Sequence, residues 1–176
     1  ARVTAAASFA NGFKFTLDDG QGQVTLLMWH NVYDNCWAAP ELNIGATVRA
    51  TGLVGQFEGE WQIVPNFGGD VKVLNATTSR PPQRSIADLG EHVGERVTIR
   101  GQILRTESLS SGVKLFVADD SGEVVVFVWQ NILERIPNNT ALGVPGTEVQ
   151  VVGEVRLFRS NREVVPTLPY DVQVQP

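Results

Sequence analysis

Apolar and polar positions alternate along most of this chain, and the alternation is broken by short polar runs. Phe13, Phe15 and Leu17 take turns with Lys14, Thr16 and Asp18. Successive side chains of a strand point to opposite faces, so this period of two predicts a strand with one apolar face. Asp19-Gly20 follows, then a second apolar stretch over 24–29. An aspartate–glycine signal between two such runs predicts a hairpin. Residues 31–45 carry turn residues and weak helical character. Alternation resumes over 47–57, with Gly52 in mid-strand, where a residue without a Cβ permits a sharp bend or a bulge. The polar turn Glu58-Gly59-Glu60 leads to a last strand ending at Val64-Pro65.

The same pattern returns further along. Residues 12–34, GFKFTLDDGQGQVTLLMWHNVYD, match 112–134, GVKLFVADDSGEVVVFVWQNILE, at a constant offset of 100, with seven identities in 23 positions. Residues 45–74 match 146–175 at an offset of 101, with ten identities in 30. A repeat of this length with one change of register is a duplication, and it makes the fold two copies of one unit. Gly153 falls where Gly52 does, and Arg159-Ser160-Asn161 replaces the first copy's turn. Copy two opens on 93–104, VGERVTIRGQIL, but by the offset Ala1 matches Gly101. Copy one is therefore expected to lack half of its opening strand, and its fourth strand to offer an open edge. The chain begins on Ala1 rather than Met, which is the expectation for a processed or excised piece of a larger protein.

Between the copies, residues 75–84 are polar with two prolines, a boundary signal. Ser85-Ile-Ala-Asp-Leu predicts one helical turn capped by Ser85. The expected organisation is a first domain over 1–75, a linker with a short helical turn over 76–92, and a second domain over 93–176.

Three strands, an irregular segment and two more strands, with a long bent first strand, is the order of the five-stranded Greek-key OB barrel. The run FTLDDGQGQVTLLMW…GATVRATGLVGQFEGEWQIVP resembles OB domains of the tRNA-anticodon-binding type. Similar domains occur in bacterial replicative polymerase α subunits, single-strand-specific exonucleases and replication protein A. The resemblance implies an all-β chain of two tandem OB barrels, the first with a truncated opening strand. It also implies a surface for single-stranded nucleic acid, although OB barrels serve equally as spacers and protein-docking modules.

Charge qualifies that expectation. Fourteen lysines and arginines stand against 19 aspartates and glutamates, a net charge of −5. Strong non-specific phosphate binding calls for a basic protein, so any nucleic-acid surface must be a local basic face. Cys36 is the single cysteine and excludes an internal disulfide. No apolar run approaches the ~20 residues of a membrane helix, and no membrane role is expected.

Nothing in the chain pairs a nucleophile with a base, and His30 and His92 have no partners at metal-ligand spacing. Asp18-Asp19 and Asp119-Asp120 suit hairpin turns, where aspartate bonds its own amides, better than a metal. No enzyme activity, metal or cofactor is expected.

The candidate site is a binding face. OB domains place cations and flat side chains on strands 2 and 3 and on the loops after strands 1 and 4. If 113, 115, 117, 124, 126 and 128 fill the barrel, Lys114, Phe116, Phe127 and Trp129 point outward. Arg105, and the loop holding Arg156, Phe158, Arg159 and Arg162, add charge beside them. Copy one offers Lys14, Thr16, Leu27 and Trp29, and its loop carries Glu58 and Glu60, which repel phosphate. Trp29 and Trp129 recur at one place, which reads as packing of the strand end against the following segment. The expected partners are single-stranded DNA or RNA, bound mainly by copy two, and other domains of the parent protein. Edge-strand self-association is a further expectation. The alternative reading is a spacer or protein-interaction module.

Overall fold

The computed structural model describes every residue, 1–176, and the chain divides into two compact units, Ala1–Ser79 and Arg80–Pro176. In unit 2 the alternating runs become β8 (Arg96–Leu109), β9 (Gly112–Asp119), β10 (Gly122–Trp129), β11 (Glu148–Phe158) and β12 (Asn161–Val165). The order is β12-β10-β9-β8-β11, and an added β11–β12 pairing closes these strands into a barrel. β13 (Val172–Val174) lies outside the closure, on β11. All six positions expected to fill the barrel, Val113 to Val117 and Val124 to Val128 at alternate residues, are buried. Opposite them stand Val97, Ile99, Val151, Val155 and Val164, each at 0–1% exposure. Each such valine contributes on the order of 1.5–3 kcal/mol relative to the exposed side chain.

β8 is 14 residues long and serves both halves of the barrel. Arg96 to Gln102 pair with Glu154 to Glu148 of β11, and Gln102 to Leu109 pair with β9, with a bulge between Ile103 and Arg105. After β10 the chain makes one helical turn, α2 (Gln130–Leu133), whose Ile132 is fully buried.

Unit 1 repeats this plan with β1 (Arg2–Phe9), β2 (Gly12–Asp18), β3 (Gln23–Trp29), α1 (His30–Asp34), β4 (Thr47–Ala50), β5 (Leu53–Phe57), β6 (Glu60–Val64) and β7 (Val71–Asn75), ordered β5-β6-β3-β2-β1-β4-β7. Its opening strand is short. β1 meets β4 only at Arg2–Thr47, helped by bonds from the Val3 amide to Ala46 and from the Val48 amide to Ala1. The single strand expected over 47–57 is therefore two. At the break the Thr51 amide turns to the Asp70 carbonyl.

Gly52 and Gly153 sit at the bend of this strand in each unit. A Cβ on Gly52 would lie 2.5 Å from the Val64 carbonyl oxygen, and one on Gly153 2.9 Å from the Val165 carbonyl. Close strand approach excludes a side chain there.

Residues 81–92 pack on unit 2. The Arg84 amide donates to the Thr98 carbonyl, the Thr98 amide donates to Pro82, and a 3-10 turn over Ile86–His92 buries Ile86 and Leu89. Ser85 stands at the N-cap, but its hydroxyl bonds the Asp88 carboxylate instead of a turn amide. Asp119 and Ser121 do the capping: Asp119 Oδ2 accepts the Ile86 amide at 2.9 Å and Ser121 Oγ the Ala87 amide at 3.0 Å. No helix is long and apolar enough to cross a membrane.

Candidate nucleic-acid interface

Strand parity puts Lys114 and Phe116 on the outer face of β9, and antiparallel register brings the neighbours to them. Arg105 of β8 and Val125 of β10 flank Phe116, while Glu107 and Phe127 flank Lys114. β10 also pairs in parallel with β12, so Glu163 lies beside Val125. Across the four strands one row therefore reads Arg105, Phe116, Val125, Glu163.

The bulge after Ile103 sets Arg105 squarely on its neighbour. Its guanidinium carbon lies 3.3 Å from the centroid of the Phe116 ring. A cation stacked on an aromatic at a partly exposed site contributes ~0.5–1 kcal/mol. The stack covers that face of the ring, so the plane it presents is the guanidinium, on which a nucleobase stacks as it does on an aromatic.

The turn between β11 and β12 overhangs this row. Phe158, Arg159 and Arg162 join Lys114, Phe116 and Glu163 in lining a cleft of about 580 Å³. The turn has two central residues, Arg159 and Ser160, with φ of 48° and 67°. Its counterpart in unit 1 uses Glu58 and Gly59. Non-glycine residues in the left-handed region carry roughly 1–2 kcal/mol of strain each, so unit 2 holds this arginine under strain. Arg159 lies over Phe158, 5.3 Å from its centroid, and Arg162 Nη1 reaches to 3.5 Å from the Ala87 carbonyl.

Glu163 is the residue that sequence reasoning missed. Partial burial raises its carboxyl above the ordinary value, and the Lys114 ammonium lowers it part of the way back. Three cations thus share the cleft with two carboxylates, Glu163 and Glu123. Its place on β12 next to Arg162 was legible. The parallel β10–β12 pairing that turns it toward Lys114 was not.

The other candidates separate from this cluster. Arg156 is turned to Glu154, at 3.2 and 3.4 Å, and does not line the cleft. Phe127 stands edge-on to Trp129 with centroids 4.8 Å apart. Trp129 and Trp29 each begin a helical turn and are each 43% exposed. In unit 1, Lys14 and Trp29 converge on Phe9, Lys14 Nζ at 5.7 Å from its ring and Trp29 edge-on at 5.7 Å. Phe9 was not singled out by its sequence position. Leu27, expected outward, is 7% exposed.

The aspartate pairs serve turns. Asp18 and Asp19 accept the Gly20, Gln21 and Gly22 amides, and Asp18 also accepts Gln23 Nε2. The Gln23 bond, then the Gly20 amide, hold the Asp18 carboxyl below the ordinary value. At Asp119 burial pushes upward, but the bonds from Ser121, Ile86 and Gly122 outweigh it and the carboxyl falls.

Barrel closure, strand order and the helical turn after the third strand make this chain a tandem of OB folds, the first with a shortened opening strand. No family model and no curated protein matches it. Among solved structures it is similar to a replication protein A heterotrimer bound to ssDNA, with a TM-score of 0.53 and 15% identity over 100% of this chain and 48% of that one. It is also similar to the p204 HINb domain (TM-score 0.43, 12% identity, 99% of this chain and 93% of that one). The S. pombe Stn1–Ten1 complex aligns with 55% of this chain and 79% of its own, at 21% identity and a TM-score of 0.47.

Proposed function

We propose that unit 2 is a non-catalytic module that binds single-stranded nucleic acid across the outer face of β9 and β10. The carrying observation is the cleft that gathers Lys114, Arg159 and Arg162 around the Arg105–Phe116 stack. Cations along a groove take phosphates, and flat groups take bases whatever their sequence. The similarity in fold to a replication protein A heterotrimer bound to ssDNA is consistent with this reading.

Fluorescence anisotropy with labelled single strands tests it. Affinity should fall with salt. Replacing Arg159 and Arg162 by Ala should flatten the slope of log affinity against log salt by ~0.7 each, about 1.4 together. Phe116→Ala should cost ~1–3 kcal/mol by removing one stacking support, with little change in slope. Absence of binding at low salt, or an unchanged slope in the double arginine variant, refutes the assignment.

A further inference from the structure

Lys114, Arg159 and Arg162 give the unit 2 cleft its donors, and Glu163 gives it an acceptor. Glu163 is half-buried at the end of the row Arg105, Phe116, Val125, Glu163. Its carboxylate forms no ion pair, with Lys114 or any other cation, and accepts no hydrogen bond. The Lys114 ammonium is still near enough to draw the carboxyl downward against the effect of burial. A half-buried carboxylate without partners is disfavoured, and on a face that takes phosphates it also repels the ligand. A ligand group that donates hydrogen bonds to it removes both penalties.

The row sets what such a ligand looks like. Val125 stands between Phe116 and Glu163, and paired strands lie ~4.8 Å apart, so about 10 Å separates the backbones of those two residues. Val125 is half-buried and apolar, a floor for a flat ring between the Arg105–Phe116 stack and the carboxylate. Such a ring turns its edge to one anionic acceptor, Glu163, and one ammonium donor, Lys114. Nucleobases differ in how they answer that pair. Guanine carries two adjacent donors, N1–H and the N2 amino group, with the O6 acceptor beside them. Adenine and cytosine set one amino donor against a ring-nitrogen acceptor, which repels the second carboxylate oxygen, and thymine flanks its one N3–H with two carbonyls. Guanine alone gives both carboxylate oxygens a donor and keeps an acceptor for the lysine.

We propose that Glu163 is the specificity-determining residue of the cleft and selects guanine, its carboxylate accepting N1–H and the N2 amino group while Lys114 donates to O6. This rests on the reading of unit 2 as a binder of single strands. Strands without guanine meet only the repulsion of the carboxylate, so the same residue that weakens general binding sharpens the choice of base.

The probes are three thymidine heptamers with guanine, adenine or hypoxanthine as the central base, titrated into the full chain by fluorescence anisotropy. All carry the same phosphates, so the ratio of affinities cancels the electrostatic part, and adenine matches guanine as a stacking purine. The guanine strand should bind at least about fivefold tighter than the adenine strand, the lower end of what a bidentate base contact discriminates. Hypoxanthine lacks only the N2 amino group and should fall between them. Glu163→Gln should raise the affinity of the adenine strand and leave that of the guanine strand nearly unchanged, bringing the two within about twofold. Glu123→Gln removes the other carboxylate of the cleft and should raise both alike, preserving the ratio. Equal affinities of the guanine and adenine strands for the parent, or a ratio that survives Glu163→Gln, overturns the proposal while single-strand binding stands. Absence of binding by all three heptamers at low salt overturns both.

Discussion

Glu163→Gln should strengthen binding of single strands, although it changes a residue inside the cleft. The carboxylate shares the cleft with Lys114, Arg159, Arg162 and Glu123, and Arg156 of β11 is its register partner. Removing it takes away repulsion against an incoming phosphate, about 1 kcal/mol at near-contact distance in high dielectric, or about fivefold in affinity. It also frees Lys114 to neutralise a phosphate, which steepens the salt slope by ~0.7. The gain should therefore be about 2.5-fold larger at 50 mM than at 200 mM salt. The sign of the pH effect follows from the carboxyl's upward displacement. A folded value above the unfolded one means that ionisation costs stability, a cost absent below the ordinary value of 4.5 and complete above the raised folded value. The glutamine variant should thus be the more stable protein at pH 7 and lose that advantage below about 4.5. The parent's affinity should rise as pH falls through this titration, while the variant's stays flat. Anisotropy titrations at two salts and two pH values read all of this. Weaker binding by the variant, or an identical pH response, would refute the charge arrangement argued for the cleft.

Arg156→Ala should leave affinity within about twofold of the parent and the salt slope unchanged, since Glu154 already neutralises this arginine in water. Asp119→Ala should cost ~1–2 kcal/mol in chemical denaturation, because it strands the Ile86 amide and the turn amides. Because the Asp119 carboxyl is depressed, its contribution is present above the ordinary value of 3.8 and is lost as pH falls through the folded value, so parent and variant should converge in acid. Ser160→Gly should raise the melting temperature of unit 2 by a few degrees, since relief of ~1–2 kcal/mol of left-handed strain exceeds the ~0.5–1 kcal/mol entropy cost of glycine. Limited proteolysis should cut within 76–80 and leave unit 2 as the resistant core; survival of unit 1 alone would contradict the difference in closure.

Period-two patterning made the barrel legible because each strand has one face in a core, and parity alone placed Lys114 and Phe116 outward. The truncated opening strand was legible from the offset that sets Ala1 against Gly101. What parity cannot supply is lateral order. The stack of Arg105 on Phe116 depends on a one-residue bulge, and Glu163 enters the cleft through a parallel pairing between non-consecutive strands. The turn of Arg156 to Glu154 has a simpler reason: Glu154 is two residues away on the same strand, hence on the same face, and a charge count over the loop omitted it. Ser85 looked like a cap because the turn that displaces it, Asp119 to Ser121, is distant in sequence.

The long ladder between β8 and β11 also has a kinetic consequence. The β9–β10 hairpin needs only a tight turn, but joining Arg96 to Glu154 requires most of unit 2 to be in place first. Closing so distant a contact is entropically late. During synthesis β8 therefore emerges and waits, with Val97 and Ile99 uncovered, until β11 has followed it.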